Sequence, residues 1–172
     1  MRVSFLAIGA GLILASLPTV SSARADSDIF PHSLSLMKQG QAAQNASDLN
    51  GAMDYYEAAL VADPRNRGAL IALAQIARAQ GLPGKAIGLY REALTLEPND
   101  VVALSGQGQA LADKGAIDRA KDLLADVQRL CTAPCAEIAA LEKAIAAGSS
   151  RQMATAEGSP SPTGVTAPVP PI

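Results

Sequence analysis

The feature that most constrains this chain is a self-similarity at a fixed spacing of 34 residues. The stretch GAMDYYEAALVADPRN from Gly51 aligns with KAIGLYREALTLEPND from Lys85. Ala52 then matches Ala86, Tyr56 matches Tyr90, Ala59 matches Ala93, Leu60 matches Leu94 and Pro64 matches Pro98. One further step reaches Ala120, Leu124 and Val127. Leu36, Leu70 and Leu104 share a second register, and Gly40, Ala74 and Gly108 a third. Gly81 and Gly115 share a fourth, with Ser47 as its weaker first copy. A period of this length means stacked supersecondary units, none of which can bury its apolar face alone.

The residues within each unit predict two amphipathic helices. Ala86, Leu89, Tyr90, Ala93 and Leu94 fall at i, i+3, i+4, i+7 and i+8, and Ile117, Ala120, Leu123, Leu124 and Val127 form the matching face one unit later. Small residues at Gly40, Ala74 and Gly108, and at Ala52, Ala86 and Ala120, allow helices to approach closely. Gly81 and Gly115 suit a left-handed turn between paired helices. Pro64 and Pro98 cannot continue a helix interior, so each closes a unit. The composition agrees: the chain is rich in alanine, has no Trp and few aromatics, which favours close-packed helices over strands.

This pattern resembles the tetratricopeptide repeat. Three copies fit, at 33–66, 67–100 and 101–134. The second is the fullest, with Leu70, Leu73, Ala74, Gly81, Ala86, Tyr90, Ala93 and Pro98 at the family's slots. The first has Gln39 and the third Gln107 where the family usually carries a bulky residue, and no copy has its frequent Trp. The resemblance implies an all-α fold, a right-handed α-solenoid of three helix pairs. It also implies that the first helix of each copy lines a concave groove that binds a segment of another protein, with no enzymatic activity and no cofactor. Carried over slot by slot, the groove residues are Leu34, Met37, Gln41 and Gln44 in the first copy. They are Ile71, Gln75 and Arg78 in the second, and Val102, Ser105 and Gln109 in the third. The ninth slot is Gln each time, at Gln41, Gln75 and Gln109, so three amides that both donate and accept recur at the solenoid spacing. Some family members clamp a partner's C-terminal carboxylate with Lys, Arg and Asn, but here those slots hold Met37, Gln41, Ala72, Val102 and Gly106.

Both ends depart from the repeat. Residues 1–25 read as a signal peptide: Arg2, the apolar run FLAIGAGLILASL, and a small-x-small site at Ala23, Arg24 and Ala25. Cleavage after Ala25 implies a periplasmic or secreted protein with no stable membrane insertion. It leaves 12 of the 14 basic residues against 16 acidic ones, a net charge of −4 with no basic stripe, which argues against nucleic-acid binding. Residues 26–32 form a lead-in, with Phe30 expected to tuck under the first helix and Pro31 or Ser33 to start it. Residues 135–147 predict a capping helix with Ile138, Leu141 and Ile145 inward and Glu137, Glu142 and Lys143 outward. Residues 148–172, rich in Ser, Thr, Gly and Pro, predict a disordered tail with polyproline II tendency, and a proline-rich ligand is the functional alternative.

Chemistry-bearing groups are few. His32 is the only histidine and sits at the start of the fold, without the partners a catalytic base needs. One His and two Cys do not make a zinc site, and no nucleophile elbow, phosphate loop or haem-attachment motif occurs. Asp118, Asp122 and Asp126 interleave with Arg119, Lys121 and Arg129 as a solvated face. Cys131 and Cys135 fall where the third copy should turn. They admit a structural disulfide, favoured in an oxidising compartment, or a thiol-disulfide centre, although their CxxxC spacing lacks the CxxC and βαβ context of thioredoxin-like sites. The functional expectation is an envelope interaction scaffold, weakly similar to assembly factors of Tad/Flp pili, with another envelope protein or peptide as partner. A purely structural, self-associating module is a further reading, and the sequence leaves the oligomeric state open.

Overall fold

The computed structural model describes residues 29–157, so the expected signal peptide at 1–25 and residues 158–172 of the expected tail lie outside the described residues. The described residues form seven helices: α1 (Pro31–Asn45), α2 (Leu49–Ala62), α3 (Arg67–Ala79), α4 (Pro83–Leu96), α5 (Val101–Asp113), α6 (Ile117–Leu130) and α7 (Ala136–Glu157). They contain no strand. α1 packs on α2, α3 on α4 and α5 on α6, and each pair stacks on the next. The fold is the expected all-α solenoid of three helix pairs plus a terminal helix.

Local chemistry sets the helix ends. α2, α3 and α5 begin under side-chain caps: Asp48 accepts from the Gly51 N–H, Asn66 from Ala69 and Asp100 from Ala103. Each first helix ends in a left-handed residue, at Ser47 (φ 65°), Gly81 (φ 73°) and Gly115 (φ 84°). The N–H after each one reaches back five residues, from Asp48 to the Ala43 carbonyl, Leu82 to Ala77 and Ala116 to Leu111. This closes the helix with a Schellman bond. Ser47 therefore adopts the glycine-like conformation without being glycine.

The core runs along the stack. Ala52, Ala59, Ala86, Ala93 and Ala120 are fully buried, as the close-approach reading requires. Tyr56 and Tyr90, only 2% exposed, lie where small residues make room. A Cβ on Gly40 would stand 2.7 Å from the Tyr56 ring, and one on Gly106 would run into Tyr90. Burial pushes the Tyr56 hydroxyl pKa up and pushes that of Tyr90 up to about 12.

The ends differ from expectation in three ways. Phe30 is 59% exposed and Ile29 is buried instead. Pro31, one of the two expected starters, begins α1 and so takes the last two residues of the expected lead-in, while Ser33 is an internal clasp. Its hydroxyl donates to the Ala59 carbonyl at 2.7 Å and accepts from Asn66 Nδ2 at 2.8 Å. Third, α7 starts at Ala136 and continues ten residues past the expected end at 147. Glycine at 148 is what lets it run on: a Cβ there would sit 2.6 Å from the Ala112 carbonyl oxygen of α5. Ser149, Ser150 and Thr155 turn their hydroxyls back onto carbonyls of their own helix, which removes their usual preference for turns. Arg151 then ties the extension to Asp113 on α5 at 3.3 Å.

Candidate functional site

The first helices line two shallow hollows on one face. The nearer, about 330 Å³, is formed by α1 and α3 with Met37, Gln41, Gln44, Ile71 and Gln75 on its walls. The farther, about 370 Å³, is formed by α3, α5 and α7 with Gln75, Arg78, Val102, Ser105 and Gln109. Gln75 lines both. The structure thus brings nine of the ten expected groove residues to the hollows. Leu34 is exposed on α1 but lies outside both linings.

The groove side chains are not equally free. Gln41 and Gln75 are exposed. Gln44 accepts from the Tyr56 hydroxyl at 2.9 Å, and Gln109 Nε2 donates to Ser105 Oγ at 3.0 Å. Ser105 is 1% exposed, and its hydroxyl donates to the Glu137 carbonyl at 2.9 Å. It therefore also ties α5 to α7. Arg78 donates to Asp113 at 2.6 Å, and Asp113 also meets Arg151. The groove's arginine thus shares one carboxylate with Arg151 and stays partly exposed.

Two contributors were missed in the sequence. Tyr56 lines the nearer hollow and Tyr90 the farther. Their shared register marked them as core, and the small residues opposite them at Gly40 and Gly106 are what bring their edges to the groove. The second contributor is α7, which adds Ala136, Glu137 and Ala140 to the farther hollow. Ile138 stands 34 residues after Leu104, so α7 sits where a fourth first helix would, packed on α5 and α6.

Cys131 caps the end of α6 and is joined to Cys135, one residue before α7, with their Cα atoms 6.2 Å apart. Pro134 falls just outside α7 rather than in its first turn. Among the described residues no group of His, Cys, Asp and Glu is placed to hold a metal ion, and none of their helices is long and apolar enough to cross a membrane.

The comparisons agree with this geometry. Residues 67–110 match the tetratricopeptide repeat family model. No curated protein matches the chain. Among solved structures, the first such domain of Spaghetti (RPAP3), bound to the HSP90 peptide SRMEEVD, is 21% identical with a TM-score of 0.61, covering 72% of this chain and 94% of that one. The Sgt2 domain from Aspergillus fumigatus is 22% identical with a TM-score of 0.61, covering 82% and 92%. The second domain of human RPAP3, in complex with the HSP70 peptide SGPTIEEVD, is 18% identical with a TM-score of 0.60, covering 66% and 94%. Residues 67–110 thus carry a tetratricopeptide repeat, and the described helices have the fold of tetratricopeptide repeat domains.

Proposed function

We propose that the chain is a non-enzymatic interaction module of the bacterial envelope, periplasmic or secreted, that holds an extended segment of another envelope protein in its concave groove. The observation that carries this reading is the continuity of the two hollows through Gln75. One extended ligand can run from α1 to α7. The amides of Gln41 and Gln75 meet its backbone, and Met37, Ile71 and Val102 take its apolar side chains. The peptides bound by the RPAP3 domains support the mode, not the ligand. Those peptides end in EEVD, whereas the clamp slots here are uncharged and Arg78 is already paired with Asp113. The nearer hollow, whose lining carries no charge, accordingly suits an uncharged stretch of ligand. A narrower role in assembling a secretion system or a pilus of the Tad/Flp type rests on family analogy. Crosslinking the mature protein in the envelope tests the reading, with Gln75→Ala plus Ile71→Asp as the comparison. Loss of partner capture in the double variant is expected, and undiminished capture overturns the groove.

A further inference from the structure

We infer that the groove has a ligand within its own chain, the C-terminal segment 158–172. This inference rests on the groove being a peptide site, as proposed above. The first observation is composition. GSPSPTGVTAPVPPI carries no charged side chain and five prolines. Each proline lacks the N–H that would let the segment pair as a strand, yet keeps its carbonyl acceptor. The nearer hollow is the chemical complement: Met37, Gln41, Gln44, Asn45, Tyr56 and Ile71 bring amide donors, an aromatic floor and apolar walls, and none of them is charged. Extended proline-rich segments are recognised by grooves of this kind, and their stiffness lowers the ordering cost.

The second observation is where α7 ends. Arg151 meets Asp113, and Asp113 meets Arg78, which lines the farther hollow, so this part of α7 lies beside the groove. The helix stops six residues later, at Glu157. Fifteen residues in an extended proline-type conformation reach roughly 46 Å at about 3.1 Å each. Crossing from α7 to α1 over three helix spacings of about 10 Å takes roughly 30 Å. The segment is long enough to lie over both hollows, and its tether raises its local concentration into the millimolar range.

The test uses the full chain with a photoreactive p-benzoylphenylalanine at position 45, on the rim of the nearer hollow. It is irradiated at two protein concentrations, digested and sequenced by mass spectrometry. The expected product is a crosslink to residues 158–172 of the same chain, in a yield independent of concentration. That yield should fall about tenfold in the variant carrying Val165→Asp and Val169→Asp, because burying a charge opposes docking. Crosslinks only between chains overturn docking in cis, as does a yield unaffected by the two aspartates. If position 45 captures an envelope partner but never the segment, the groove stands and this inference falls. If it captures the segment but no partner, the inference stands and the envelope role falls.

Discussion

The first and last repeat junctions solve one geometric problem with opposite chemistry. At the first, Ser33 and Asn66, the two end positions of the first copy, are buried and bonded to each other. Beside them the buried Asp63 carboxylate accepts from the Phe30 N–H and from the backbone and side chain of Arg65. At the middle junction the same two positions hold Arg67 and Asp100, an ion pair at 3.1 Å. At the last they are Val101 and Pro134, and the turn is closed by the Cys131–Cys135 bond beside an apolar cluster of Leu104, Val127 and Leu141. Fully buried small residues recur at all three, at Ala52, Ala86 and Ala120, and the junction bond varies around them. A polar clasp suits an end whose neighbours supply carbonyls. A covalent one suits the junction where α7, the last helix among the described residues, joins the stack.

The sharpest way to break this contrast is at the last junction. Leu141→Ala removes a fully buried side chain between α5 and α7 and should cost about 2–4 kcal/mol in urea unfolding, with exchange protection lost across α7 first. Replacing both cysteines by serine should cost about 2 kcal/mol on the loop-entropy model, again read as faster exchange in α7 and unchanged exchange in α1. Asn66→Ala does the reverse. It removes the cap on Ala69 and the donor to Ser33, and should cost about 1–2 kcal/mol with the loss confined to α1–α3. Ser47→Gly should stabilise the chain by about 1 kcal/mol, because a left-handed residue with a side chain becomes one without. Finally, acid should loosen the first junction before the last. The Arg65 side-chain hydrogen bond, then the Arg65 and Phe30 N–H groups, hold the Asp63 carboxyl below its usual pKa. The stability this gives is complete above the unfolded carboxylate value of about 3.9 and is lost as pH falls through the lower folded one. Amide exchange at Phe30 and along α1, followed by pH, measures it.

The helical pairs were legible because apolar spacing, small residues and prolines recur in phase, and each such signal acts within one helix or its immediate neighbour. Ser47 was legible for the same reason, since register placed it opposite Gly81 and Gly115. The groove was readable as positions but not as availability. Nothing local says that Ser105 is engaged by a carbonyl 32 residues on, or that Arg78 is paired with a residue 35 away. The extension of α7 was hidden by composition: GSSRQMAT looks like a tail until Gly148 is seen against α5 and the hydroxyls are seen turned inward. Phe30 misled in the other direction, because hydrophobicity favours burial and the geometry of the first turn faces it outward.

That α7 keeps the repeat's register has a consequence for how such a molecule can change size. The terminal helix meets the stack as any first helix would, so a second copy of residues 67–100 inserted ahead of Val101 would add a helix pair and leave α7 and the Cys131–Cys135 bond as they are. Length, and with it the number of ligand residues spanned, is a quantity that duplication can alter without redesigning either terminus.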